Sequence, residues 1–302
     1  MLGFAELQRG YPARYELEYV VSCDGDLGTE FKQLMKNVRA TELHLDAIAV
    51  CPSVGRGSTA PGSSWPVCPP LGDIYQAARR AFPDISLGGG MFSYFTELNR
   101  KRPPLASLDF VTHASNPIVH AADDESVMET LPYFTRSACA IMGPSMEYRL
   151  GPTTIGMRQN PYGSRTFGNP GGERLCMAHD DPCQRGLFAA AWTIGYAAQI
   201  APAGVGRWIK GAFTGPRGIV EEATGALWPV GEAVARLCRL ADAPVYQCIV
   251  GDSRRLAAFA LHDGDRLMVL SANLTDREVR VDSEGLDTLG AYEVRSLVLP
   301  KP

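Results

Sequence analysis

ISLGGGMFSYFTELNR, residues 85–100, is the stretch on which the reading of the fold turns. Its first half, 85–92, is an apolar run too continuous for a strand with one wet face. Such a run suits a parallel strand buried on both sides. Three glycines close the run, and chemistry-bearing residues follow at once: Glu97, Asn99 and Arg100. A buried parallel strand with polar groups just past its C-terminal end is the repeating unit of a (β/α)8 barrel.

Working outward, the same unit recurs on both sides. Residues 15–22, 45–51, 108–113, 148–156 and 207–213 read as further buried strands. Helices are expected between them at 28–40, 71–81, 124–140 and 182–200, with a last one at 229–241. Asp181 is placed to cap the fourth, with Pro182 at its first position. Phe4 to Arg9 also reads as helical, ended by Gly10 and Pro12. After Pro244 the helices stop. Residues 245–250, 255–261, 266–272, 277–281 and 291–299 read as strands, with a hairpin signal at Asp263-Gly264.

The expected fold class is therefore α/β, a TIM-type barrel over 1–242, followed by an antiparallel, β-sandwich-like domain over 243–302. Six parallel-type strands are two fewer than a closed barrel needs. The expectation is a barrel lacking its first two strand-helix units, whose open side gives chains a surface on which to associate as a homo-oligomer.

Composition narrows the function classes. Of 302 residues, 45% are apolar and 21% charged, and the net charge is only -4, so no basic surface speaks for nucleic acid or membrane. The N-terminus has no basic or apolar signal region. The apolar stretch 186–201 is too short to span a bilayer and reads as a buried helix. Eight scattered cysteines in a chain of this size point to reduced thiols and a cytoplasmic location. Nucleotide-binding fingerprints and the nucleophile elbow are missing, which argues against a kinase, a dehydrogenase or a serine hydrolase of the α/β class.

Three strand ends carry candidate chemistry. Glu97 can act as general acid or base beside Asn99 and Arg100; the alternative is a short surface helix with solvated charges. The three glycines allow unusual backbone angles or close approach to a ligand. The second stretch, THASNPIVHAADD at 112–124, contributes His113 at a strand end, His120 from the loop, and Asp123, which is equally a candidate N-cap with Asp124. The third, IGMRQNPYG at 155–163, contributes Arg158 and Asn160 as partners for substrate oxygens. Cys176, His179 and Cys183 have irregular spacing and read as structural. No metal or other cofactor is expected. The Gly/Ser/Pro-rich stretch 53–70 follows a strand, where active-site loops belong.

Taken in order, GGGMFSYFTELNR (88–100), DFVTHASNPIVHAADD (109–124), IGMRQNPYG (155–163), DDPCQRGLFAAAWTIGYAA (180–198) and FTGPRGIV (213–220) resemble the barrel of the D-apionate lactonases. The resemblance implies a TIM barrel with a C-terminal β domain. It also implies hydrolysis of a small-molecule sugar lactone, D-apionolactone to D-apionate, in apiose catabolism. On that reading Glu97, His113 and His120 are catalytic, while Asn99, Arg100, Asp123, Arg158 and Asn160 hold the sugar. The alternatives are a glycoside hydrolase, for which Glu97 lacks a second carboxylate, and an inactive carbohydrate-binding remnant.

Overall fold

The structure, a computed structural model, describes residues 1–131, 146–283 and 285–300. Helices and strands alternate: α1 Leu2–Gly10, β1 Glu16–Val21, α2 Leu27–Ala40, β2 Ala47–Pro52, α3 Leu71–Ala81, β3 Ser86–Met91, α4 Phe95–Arg100 and β4 Phe110–Ser115. They continue with α5, described over 124–131, then β5 Glu147–Thr153, α6 Leu187–Ile200, β6 Arg207–Trp208 and α7 Pro229–Arg239. The six strands form one sheet in chain order. β1 pairs parallel with β2, β2 with β3, and β3 with β4. This is the expected α/β sheet. The expected helix at 124–140 lies outside the described residues beyond 131.

By contacts the chain divides into two compact units. The first holds Met1–Ser115, with Met142–Gly151 and Pro161–Gly163. Its core follows from the continuous apolar strands. Every residue of β2 is buried, and Ala47, Ala49 and Cys51 pack with Phe92 and Phe110. α2 turns Phe31, Leu34 and Val38 inward at helical spacing, and Asp26 caps it by accepting from Thr29 N–H. The glycines of β3 serve packing. A Cβ on Gly88 would meet the Phe110 ring at 2.0 Å, and one on Gly89 would meet Tyr75 at 2.6 Å. Gly90 has φ +139 and lies against the Thr112 carbonyl. The unusual backbone angle expected there is found, but these glycines make room for protein atoms rather than for a ligand.

Sheet curvature can be read from one side chain. Arg149 of β5 reaches Glu16 of β1 at 2.5 Å. In a flat sheet, strands four places apart would lie roughly 19 Å from each other. A single side chain cannot cross that gap, so the strands curl toward one another as a barrel requires.

The second unit holds Asn116–Ile141, Pro152–Asn160 and Ser164–Pro302. α6 is buried nearly all round, from Phe188 through Ile200, as expected of a core helix. Its start differs from expectation. Asp181 caps a short 3-10 turn, Pro182–Gln184, and α6 begins only at Leu187. Gly186, with no side chain to cap the helix, separates the two. The strand expected over 207–213 is only Arg207–Trp208, because turns and bridges around Gly211 and Gly218 take over.

Beyond α7 the same unit contains β7 Val245–Gln247, β8 Leu256–Asp263, β9 Arg266–Asn273, β10 Val279–Ser283, β11 Leu286–Leu289 and β12 Val294–Pro300. They form an antiparallel sheet in the order β12-β9-β8-β7 and a β10-β11 pair. Gly264, at φ +60, supplies the left-handed residue of the β8–β9 hairpin at the Asp263-Gly264 signal. β11 escaped the sequence reading.

Candidate active site

The first unit gathers its chemistry past the C-terminal ends of β2, β3 and β4. Glu97 stands in the first turn of α4 and is buried, at 3% exposure, so the reading of a solvated helix charge does not apply to it. Its Oε1 accepts from the Ser58 hydroxyl at 2.6 Å and lies 3.6 Å from the Arg100 guanidinium. Arg100 in turn donates to the Thr59 carbonyl at 3.0 Å, and the Ser93 hydroxyl donates to the Gly55 carbonyl at 3.0 Å. The loop after β2 is thus tied to the turn that carries Glu97. Asn99 faces elsewhere and accepts from Arg102 in an exposed pair.

His113 ends up fully buried on β4. Its ring packs against Phe95 of α4 at 5.8 Å and Tyr148 of β5 at 5.6 Å. Nδ1 is 2.6 Å from the Ala114 carbonyl, which can only accept, so Nδ1 carries the proton. Burial pulls the imidazole down to about 4, with the carbonyl contact opposing it. The ring is therefore neutral at physiological pH, with its Nε2 lone pair unprotonated.

The remaining candidates lie in the second unit. Asp123 caps α5, its Oδ1 accepting from Ser126 N–H at 2.9 Å, and that bond holds its carboxyl below the usual range. His120 is exposed in the loop before the cap. Arg158 is half-buried in the bend after Met157, and its charge adds to the burial that lowers Arg217. Asn160 donates to the Arg165 carbonyl at 3.0 Å, closing its own loop. His179 accepts from Arg217 at 2.9 Å. Among the described residues no group of three or more His, Cys, Asp or Glu is placed to hold a metal ion.

Sequence reasoning missed Ser58, Thr59 and Tyr148 as neighbours of these groups. Only the Gly/Ser-rich composition after β2 hinted at the first two.

A family model described as D-apionate lactonase, TIM barrel domain, matches residues 1–242. The chain belongs to the D-apionate lactonase family. A D-apionate lactonase from Brucella anthropi is 43% identical over 302 residues, covering 97% of this chain and 49% of that protein. The chain thus spans about half the length of this curated family relative. In fold it is similar to a GH30 endoxylanase from Clostridium papyrosolvens, with TM-score 0.55, 10% identity, and coverage of 99% and 83% of the two chains. A glycoside hydrolase family 30 subfamily 8 xylanase from Clostridium acetobutylicum gives TM-score 0.52 at 8% identity, over 91% of this chain and 71% of that one. At such low identity these xylanases speak for the family's barrel architecture alone. No helix among the described residues is long and apolar enough to cross a membrane.

Proposed function

We propose that this chain hydrolyses a sugar lactone, D-apionolactone to D-apionate, in cytoplasmic apiose catabolism, with the chemistry in 1–242 and 243–302 as an accessory β domain. The observation that carries the reading is the buried Glu97 carboxylate at the head of β3, paired with Ser58 and near Arg100. Family membership supplies the substrate class.

Lactone opening needs water to add to the acyl carbon, an oxyanion to be stabilised, and a proton for the departing ring oxygen. Glu97 takes the proton from water as its oxygen attacks. The acyl C–O bond then breaks and Glu97 passes its proton to the ring oxygen, leaving a hydroxyl; the new carboxylic acid releases the second proton of the water to solvent and becomes a carboxylate. Arg100, 3.6 Å away, orients the Glu97 carboxylate. His113, being neutral, serves as a hydrogen-bonding group rather than as an imidazolium donor. Arg158, Asn160, Asp123 and His120 are proposed as substrate contacts or, for His120, as a proton carrier.

The test is Glu97→Gln, followed by acid release from D-apionolactone in a pH-stat. General-base loss costs roughly 10²- to 10⁴-fold in rate. A Gln variant with native circular dichroism and the wild-type rate would remove Glu97 from the mechanism.

A further inference from the structure

Among the buried hydrogen-bonding groups of the second unit with no partner among the described residues are Lys210 Nζ, the indole N–H groups of Trp192 and Trp208, and the Thr153 hydroxyl. They are also neighbours. Lys210 Nζ lies 4.2 Å from the Trp192 ring centroid and 5.8 Å from that of Trp208. Trp208 stacks on Tyr196 at 5.3 Å, and Tyr196 meets Trp192 edge-on at 5.2 Å. Thr153 donates its backbone N–H to the Ile209 carbonyl at 3.0 Å, which sets it beside the Ile209-Lys210 step.

Buried polar groups are nearly always bonded, so four without partners in one patch call for a cause. Their chemistry is one-sided. An ammonium and two indoles can only donate, and a hydroxyl can do so. The two rings face the cation and hold it in place. What the patch lacks is an acceptor with several lone pairs and a negative charge, which a carboxylate supplies. Thr153 ends β5 and Lys210 follows β6 by two residues, so the patch occupies strand ends where barrel chemistry gathers.

We propose that Lys210, Trp192, Trp208 and Thr153 form a carboxylate site that takes the acid group of the sugar-acid product, with Lys210 Nζ as its principal partner. The choice of sugar acid rests on the lactonase reading; the preference for an anion does not. Burial is the sole cause acting on Lys210, and it pulls the ammonium down to about 7. No charged side chain contributes to that shift. The site therefore holds its charge below neutrality and loses it above.

Calorimetric titration of the 302-residue chain with D-apionate tests the site, with indole fluorescence as a second signal. Saturable binding is expected at about pH 6, and binding weaker by about tenfold or more at about pH 9, where Nζ is deprotonated. The neutral polyol of the same carbon skeleton should show no such dependence. Lys210→Met should lose about tenfold or more at pH 6, together with the pH dependence. Thr153→Val, which removes a hydroxyl at constant shape, should lose about threefold. No D-apionate binding, equal affinity at both pH values, or wild-type affinity in Lys210→Met each overturns the site. Lactone hydrolysis measured in parallel separates the two ideas. A chain that binds D-apionate through Lys210 but opens no lactone refutes the proposed function and leaves this site standing.

Discussion

Arg149 in the first unit and Lys210 in the second are both cations whose charged heads are taken out of water, and they are treated in opposite ways. Arg149 has a carboxylate on each side, Glu16 at 2.5 Å and Glu147 at 2.8 Å, and its guanidinium lies 3.5 Å from the Phe110 ring centroid. Burial works against its charge, but the two carboxylates outweigh burial and the group is held above its ordinary value. Lys210 has ring faces and no acceptor among the described residues, so burial wins and the group falls to about 7. The first arrangement is complete within the fold and serves structure. The second is incomplete and serves a ligand.

The largest effect should come from breaking the complete arrangement. Arg149→Met leaves Glu16 and Glu147 facing each other beside an apolar ring. Removing one partner from a buried ion pair costs about 3–5 kcal/mol. Urea unfolding should show that loss as a lower midpoint. A midpoint equal to wild type would mean that Arg149 contributes nothing net and that the contrast with Lys210 is false.

The opposite sign is expected at the incomplete arrangement. A lysine whose folded-state pKa lies below its unfolded value binds protons less well when folded. The penalty is thus present in full at low pH and disappears as pH rises from about 7 toward the unfolded value. Lys210→Met should therefore stabilise the chain by about 2–4 kcal/mol near pH 6, with the gain shrinking toward pH 10. A variant less stable than wild type at pH 6 would make Lys210 a structural residue.

Much of this was legible in the sequence, and the limits have physical reasons. Continuous apolar runs announced the parallel strands, and helical spacing announced α2, because burial on known faces sets those periods. Asp123 was recognised as a candidate cap because that chemistry is local. The start of α6 was misplaced because an Asp-Pro pair caps a 3-10 turn as readily as an α-helix. Glu97 was found from its place after a strand. Ser58, its partner, is 39 residues away in sequence, and no local pattern links the two. Arg149 and Lys210 were read only as members of strands 148–156 and 207–213. Whether a strand cation meets carboxylates or ring faces depends on side chains from other elements. The Glu16–Arg149 pair is separated by 133 residues, and the Trp192–Lys210 pair joins α6 to a strand end.

A third buried group, His113, tests the same principle from the neutral side, with the smallest expected effect. Burial lowers it to about 4, and the Ala114 carbonyl opposes the shift only in part. In the unfolded chain the imidazole takes a proton near 6.5. Between those two values the unfolded state binds more protons than the folded state, so falling pH favours unfolding. The stability that His113 contributes by staying neutral is intact above about pH 6.5 and lost as pH falls toward 4. The loss is about 2–3 kcal/mol. His113→Gln keeps a hydrogen-bonding side chain but cannot titrate. Acidic groups elsewhere are common to both proteins and cancel in the difference. The stability gap between variant and wild type should thus move in the variant's favour by about 2 kcal/mol from pH 7 to pH 4. Parallel curves over that range would show that His113 takes up its proton at the same pH folded as unfolded, so that burial does not hold it neutral. A proton-donating role in lactone opening would then be restored to it.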